Sequence, residues 1–162
     1  MDRLLNAAAA FDSVKQACIV IDAGTAVTVD FIDGEGTFHG GAIAPGARAQ
    51  LAAMHQHGAL LPDIELRRPG PQSWGSNTAE AMLRGVCFGI QGMARYLIER
   101  YSEEYGAYPR IIATGGDARL LFEGDELIEN IVDDLTIYGL GVTFRTALEQ
   151  ATITHKAARD NK

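Results

Sequence analysis

No apolar run in these 162 residues approaches the roughly 20 residues that a membrane-spanning helix needs. The N-terminus also lacks the basic-then-apolar layout of a secretory leader, so the cytoplasm is the expected compartment. Cysteine is scarce, with only Cys18 and Cys87. Neither has a partner at metal-ligand spacing and both sit in apolar company, which predicts buried reduced thiols rather than a disulfide framework or a zinc site. Positive charge is also short: 14 Lys and Arg against 21 Asp and Glu leave a net charge of −7. Nucleic acids and anionic membranes reward clustered Lys and Arg, so neither is an expected partner. The deficit does not exclude a nucleotide, because backbone N–H groups, helix N-termini and a metal ion can carry phosphate recognition. Of the four histidines, His55 and His57 lie two apart on one predicted helix and point to different faces, so they cannot chelate together. His155 falls in the C-terminal stretch, and His39 could face a site from its strand or serve the structure alone. No zinc set, Ser-His-Asp set or catalytic-cysteine context is present, and no internal repeat.

What the chain does have is the apolar content, 47%, of a globular domain, and a length that buries a core of one domain. Its organising stretch begins with Cys18 to Ile21, a β-branched apolar run that reads as a buried strand. Asp22-Ala23-Gly24-Thr25 follows as a tight polar turn, Ala26 to Ile32 as a second strand, Asp33 to Gly36 as a turn, and Phe38 to Ile43 as a third strand. Asp2 to Phe11 precedes this meander as a helix, with Leu4, Leu5, Ala8 and Ala9 on one stripe. After Pro45-Gly46, the spacing predicts a helix over Ala47 to His57 ended by Gly58, then a proline-rich loop from Leu61 to Ser73.

Asn77 opens the longest helix, and Glu80 three residues on completes a capping box. Ala79, Met82, Leu83, Val86, Ile90, Met93, Leu97 and Tyr101 mark its buried face. Gly85, Gly89 and Gly92 form a second line with no propensity reason to be there, which predicts a close helix contact inside the domain or across a dimer. Arg110 to Ala113 is a further buried strand, turned into a helix by Thr114-Gly115-Gly116-Asp117. Asp133-Asp134 caps a last helix from Leu135 to Gln150, leaving 151–162 as a polar tail expected to fray.

A strand, an Asp-x-Gly-Thr turn and a second strand is the arrangement by which the actin and sugar-kinase fold offers backbone N–H groups to phosphates. Taken in order, Met1-Asp2-Arg3-Leu4-Leu5-Asn6, the turn at Asp22, Gly40-Gly41-Ala42-Ile43-Ala44-Pro45-Gly46, Gly75-Ser76-Asn77-Thr78 and Thr114-Gly115-Gly116-Asp117 resemble type III pantothenate kinase. The resemblance runs from Asp2 to about Glu149, and it implies that 1–150 are the second, C-terminal lobe of such an enzyme. The family's first lobe, with its own Asp-x-Gly-Asn-Thr loop, has no counterpart in the chain. The implied fold is α/β: a ribonuclease-H-like lobe of the actin/sugar-kinase ATPase superfamily, a β-meander plus strand–helix units.

The implied activity is ATP-dependent phosphorylation of pantothenate in coenzyme A synthesis. By resemblance Asp2 is the general base, Arg3 and Thr78 contact pantothenate, and Gly24, Thr25, Gly115 and Gly116 contact the nucleotide. Asp22 would hold a monovalent cation, potassium or ammonium, while Mg²⁺ accompanies ATP. Gly40-Gly41 and Pro45-Gly46 would shape the cleft near a dimer partner. The family has Gly-Ala-Asp-Arg where this chain has Met1-Asp2-Arg3, which puts the seating of Asp2 in question. A homodimer is expected, with a separate first-lobe chain as a possible second partner. The competing expectation is a non-catalytic accessory relative with the same fold. The missing lobe favours it, and the intact Asp2, Arg3, Asp22, Thr25 and Thr78 oppose it.

Overall fold

The computed structural model describes the backbone of residues 1–160 and the side chains of 1–152. Five strands form one sheet in the order β3-β2-β1-β4-β5, where β1 is Cys18–Ala23, β2 Ala26–Ile32, β3 Phe38–Pro45, β4 Arg110–Thr114 and β5 Asn130–Ile131. The first three are an antiparallel meander, and β4 and β5 add in parallel to β1. This is the ribonuclease-H-like lobe expected from the sequence. Five helices cover the sheet: α1 Asp2–Val14, α2 Ala47–His57, α3 Thr78–Tyr105, α4 Ala118–Phe122 and α5 Leu135–Asp160.

The period-2 alternation of the strands divides the core in two. Ile19, Ile21 and Ala23 of β1, with Val27, Val29, Ile111 and Ala113, face α2, α3 and α4, joining Leu51, Leu83, Ile90, Ile98 and Phe122. Cys18 and Val20, with Ile32 and Ile112, face the other way against Ala7, Ala9 and Ala10 of α1 and Leu135 of α5. Both cysteines are free and buried, and burial pushes the Cys18 thiol up to about 12. Among the described residues no helix is long and apolar enough to cross a membrane.

Three readings need correction, and one of the two alternatives for the α3 glycines falls away. The strand at Cys18 continues through Asp22 and Ala23, because both pair with β2 and Asp22 also pairs with Thr114 of β4. The two-residue β5 was not foreseen, being too short to show a period. The last helix does not stop at Gln150 but runs on to Asp160; residues 161 and 162 lie outside the described part. The glycine line of α3 makes no close contact inside the domain, since a Cβ at Gly85, Gly89 or Gly92 would meet nothing within 4 Å. The tight helix crossing occurs elsewhere, at α1 and α5, where a Cβ on Gly139 would lie 2.1 Å from the Leu5 carbonyl oxygen.

Candidate active site

Because β1, β3 and β4 run parallel, their C-terminal ends share one edge of the sheet. Three connections therefore converge there: Asp22 to Thr25, Pro45 to Arg48 and Thr114 to Asp117. Backbone bonds lock them together. Gly46 N–H donates to the Thr25 carbonyl at 3.0 Å, and Asp117 N–H donates to the Ala23 carbonyl at 2.9 Å. The approach is close enough to demand glycine. A Cβ at Gly46 would lie 2.1 Å from the Gly24 oxygen, and one at Gly115 would lie 2.4 Å from the Ala23 oxygen and 2.5 Å from Asp22 Oδ1. Gly115 also has φ of +97°, a left-handed conformation that disfavours any side chain.

Asp22 is the half-buried carboxylate at the centre of this edge. Its Oδ2 accepts a bond from Asn6 Nδ2 at 2.9 Å, and its Oδ1 faces Gly115. Asn6 is only 1% exposed, and its Oδ1 accepts a 2.7 Å bond from the Thr136 hydroxyl. That bond fixes the amide orientation, so the nitrogen must point at Asp22. Burial raises the Asp22 carboxyl above its ordinary value; the Asn6 bond opposes the shift, and the charges of Asp2 and Asp30 add to it. Asp2 thus stands near Asp22, exposed in the first turn of α1.

The other expected residues distribute differently. Gly24, Thr25, Gly115 and Gly116 lie in the converging connections, with Thr25 and Gly116 exposed. Arg3 turns back onto β2, where its Nε donates to both oxygens of Asp30 at 3.0 Å and its guanidinium stacks 5.6 Å from the Phe38 ring centroid. Thr78 is exposed at the first position of α3, behind an Asn77 cap whose Oδ1 accepts from Glu80 N–H at 3.0 Å. Glu80 reaches back to the Ser76 N–H and hydroxyl, completing the expected box one residue earlier than the cap. His39 does not face this edge. It pairs with Asp33 at 2.7 Å beside the β2–β3 turn, at the opposite end of the sheet. Gly40 and Gly41 lie toward that end too, where Gly41 lets β3 approach Val29 and Asp30.

Sequence reading did not single out Asp30, Arg48 or Thr136, and it named Asp117 only as the end of the Thr114–Asp117 turn. Arg48, in the first turn of α2, donates from Nη2 to Asp117 Oδ1 at 2.9 Å. Their contacts join residues 27 to 130 positions apart, and no local spacing signals such pairs.

Glycine-lined turns and a helix start at one sheet edge suit an anionic ligand handled by backbone donors, and the carboxylates beside them suit an accompanying cation. The type III pantothenate kinase family model matches residues 1–100. The chain belongs to that family. It is 46% identical over 144 residues to the type III pantothenate kinase of Rhodospirillum rubrum, covering 89% of this chain and 56% of that protein. It is 41% identical over 144 residues to the enzyme of Dehalococcoides mccartyi, covering 89% and 55%. The chain therefore spans about half the length of the curated relatives it matches. Among solved structures, a Baf family transcriptional activator from Campylobacter jejuni superposes with a TM-score of 0.64 at 22% identity, covering 90% of this chain and 65% of that one. The Alp12 filament structure superposes with a TM-score of 0.59 at 12% identity, covering 91% and 53%. These two likenesses are of fold.

Proposed function

We propose that this chain is the C-terminal lobe of a pantothenate kinase, transferring the γ-phosphoryl group of ATP to the terminal hydroxyl of pantothenate. The observation that carries the reading is the interlock of the Gly24, Gly46 and Gly115 turns around Asp22, close to the start of α1 that bears Asp2. Asp2 accepts the hydroxyl proton as the oxygen forms its bond to the γ-phosphorus, and the bond from that phosphorus to the bridging oxygen of ADP breaks. Thr25, Gly115 and Gly116 present their backbone to the nucleotide, while Gly24, whose N–H is taken by the Ala26 carbonyl at 3.0 Å, contributes the room a side chain would fill. Thr78 receives the pantothenate carboxylate at the positive end of α3. Arg3 keeps its role as a substrate contact only by leaving Asp30, or acts through that pair by seating α1 and hence Asp2.

The residues present suit a monovalent cation better than a self-sufficient divalent site. Asp22 Oδ1 is a hard oxygen among turn carbonyls, whereas no cluster of three or more His, Cys, Asp or Glu able to hold a metal occurs among the described residues. Mg²⁺ would enter with ATP and neutralise charge on its phosphates. Pantothenate, the two cations and a homodimeric assembly are all part of the proposal.

The chain contains one Asp-x-Gly-Thr turn, and a two-lobed nucleotide cleft needs a second phosphate turn from the facing lobe. The exposed apolar residues Ile137, Leu140, Phe144 and Leu148 of α5 offer that lobe a face to pack on. The test is an ATP-to-pantothenate assay on the 162-residue chain, alone and mixed with a first-lobe polypeptide from a relative. The expected result is no turnover alone and recovery on mixing, with Asp2→Asn abolishing the recovered activity while sparing ATP binding. Robust turnover by the chain alone would overturn the split-site reading. Absence of recovery with any first lobe would point instead to the accessory relative.

A further inference from the structure

We infer that Arg48 is a phosphate-contacting residue of the nucleotide site, parked on Asp117 in the free protein and delivered to the anionic end of a bound nucleotide. The inference deepens the nucleotide reading above and rests on it. Its starting point is charge. The connections Asp22 to Thr25, Pro45 to Arg48 and Thr114 to Asp117 contain two carboxylates and a single cation, and Asp2 adds a third carboxylate nearby. A triphosphate brought against this edge meets repulsion from every charged side chain there except Arg48.

The geometry puts that cation where it is needed. Arg48 is the second residue of α2, and the bond from Gly46 N–H to Thr25 holds the start of α2 against the Gly24-Thr25 turn. The Arg48 side chain is 66% exposed, while its partner carboxylate on Asp117 is 7% exposed and fixed by the backbone bond to Ala23. A guanidinium carries five N–H donors, and only one nitrogen is engaged, by Asp117. The remaining donors are open to water. An ion pair this exposed adds little to stability, so structure alone gives weak reason for an arginine here. A phosphate offers more charge and a bidentate match to the free side of the fork, and so competes well with the single bond to Asp117.

The test is calorimetric titration of the wild-type chain, Arg48→Gln and Arg48→Lys with ATP plus Mg²⁺, with tripolyphosphate and with adenosine, beside thermal unfolding of each. Arg48→Gln is expected to weaken ATP and tripolyphosphate roughly 10- to 100-fold, the usual range for losing a charge-assisted contact. Adenosine affinity and the unfolding midpoint should not change, and Arg48→Lys should recover part of the loss. Equal ATP affinity in wild type and Arg48→Gln would overturn the role of Arg48 and leave the nucleotide site standing. Equal losses for ATP and adenosine would make the Arg48–Asp117 pair a structural latch and overturn the inference too. Each titration is run with the chain alone and mixed with the first-lobe polypeptide, and a wild-type chain that binds none of the three probes in either state would remove the nucleotide reading and this inference together.

Discussion

Gly115 shows how much a single position can carry. Its φ of +97° would cost an L-residue about 1–2 kcal/mol, and its missing Cβ leaves room for the Ala23 carbonyl and for Asp22 Oδ1. Gly115→Ala is therefore expected to lower unfolding free energy by at least about 1–2 kcal/mol in urea titration, and to weaken nucleotide binding by displacing Asp22. Asp22→Asn is expected to remove any preference for potassium over sodium in nucleotide affinity; a preference that survives the change would exclude Asp22 as the cation ligand. Asp33 gives a pH prediction at the opposite end of the sheet. The bond to His39, then those from the Thr37 and Glu35 backbone, hold its carboxyl at about 2, below its unfolded value. A depressed carboxyl contributes stability that is present above the unfolded value, about 4, and is lost as pH falls toward 2. Denaturation measured from pH 5 to pH 2 should lose less stability in Asp33→Asn than in the wild type.

At the scale of elements, α3 presents the clearest question. Its Met82, Leu83, Val86, Cys87, Ile90, Ala94 and Ile98 are buried, while Gly85, Gly89 and Gly92 are exposed with open space around them. Exposed mid-helix glycine costs roughly 1 kcal/mol relative to alanine and gains nothing inside this domain. Gly89→Ala should therefore raise the unfolding free energy of the isolated chain by up to about 1 kcal/mol, measured by chemical denaturation. A loss of stability would mean that the glycine face is packed in the protomer after all. The exposed Phe88 and Tyr96 on the same helix add apolar area to this face.

At the scale of the whole molecule, two apolar surfaces are open among the described residues, the α3 glycine face and the outer face of α5 with Ile137, Tyr138, Leu140, Phe144 and Leu148. Surfaces of this kind seek partners. Light scattering at micromolar concentration is expected to report a dimer, and Gly89→Leu should shift it toward monomer without lowering the thermal midpoint. A wild-type monomer would refute the dimer. Dissociation of the variant together with a lowered midpoint would show that the substitution had damaged the fold instead of the interface.

The sequence by itself determined the elements whose signals are local. The β-branched run at Cys18 to Ile21, the Asp33 to Gly36 turn, the Asn77–Glu80 cap and the first half of the α3 stripe each arise from residues within a few positions of one another and are found in the structure. However, β1 runs on to Ala23, and beyond Ile90 the fully buried line is Ala94 and Ile98, with Met93, Leu97 and Tyr101 partly buried. The family was legible for the same reason, as an ordered series of short segments. The convergence of the site was not. Arg3 with Asp30, Asn6 between Asp22 and Thr136, and Arg48 with Asp117 unite residues that only the sheet order β3-β2-β1-β4-β5 and the packing of α1 on α5 bring together. The brief β5, bonded to β4 with too few residues to show a period, and the Gly139 crossing at Leu5 were invisible likewise. Local spacing encodes which face of an element is apolar; which distant residue a buried polar group must meet is decided when the faces close and every donor there has to find an acceptor.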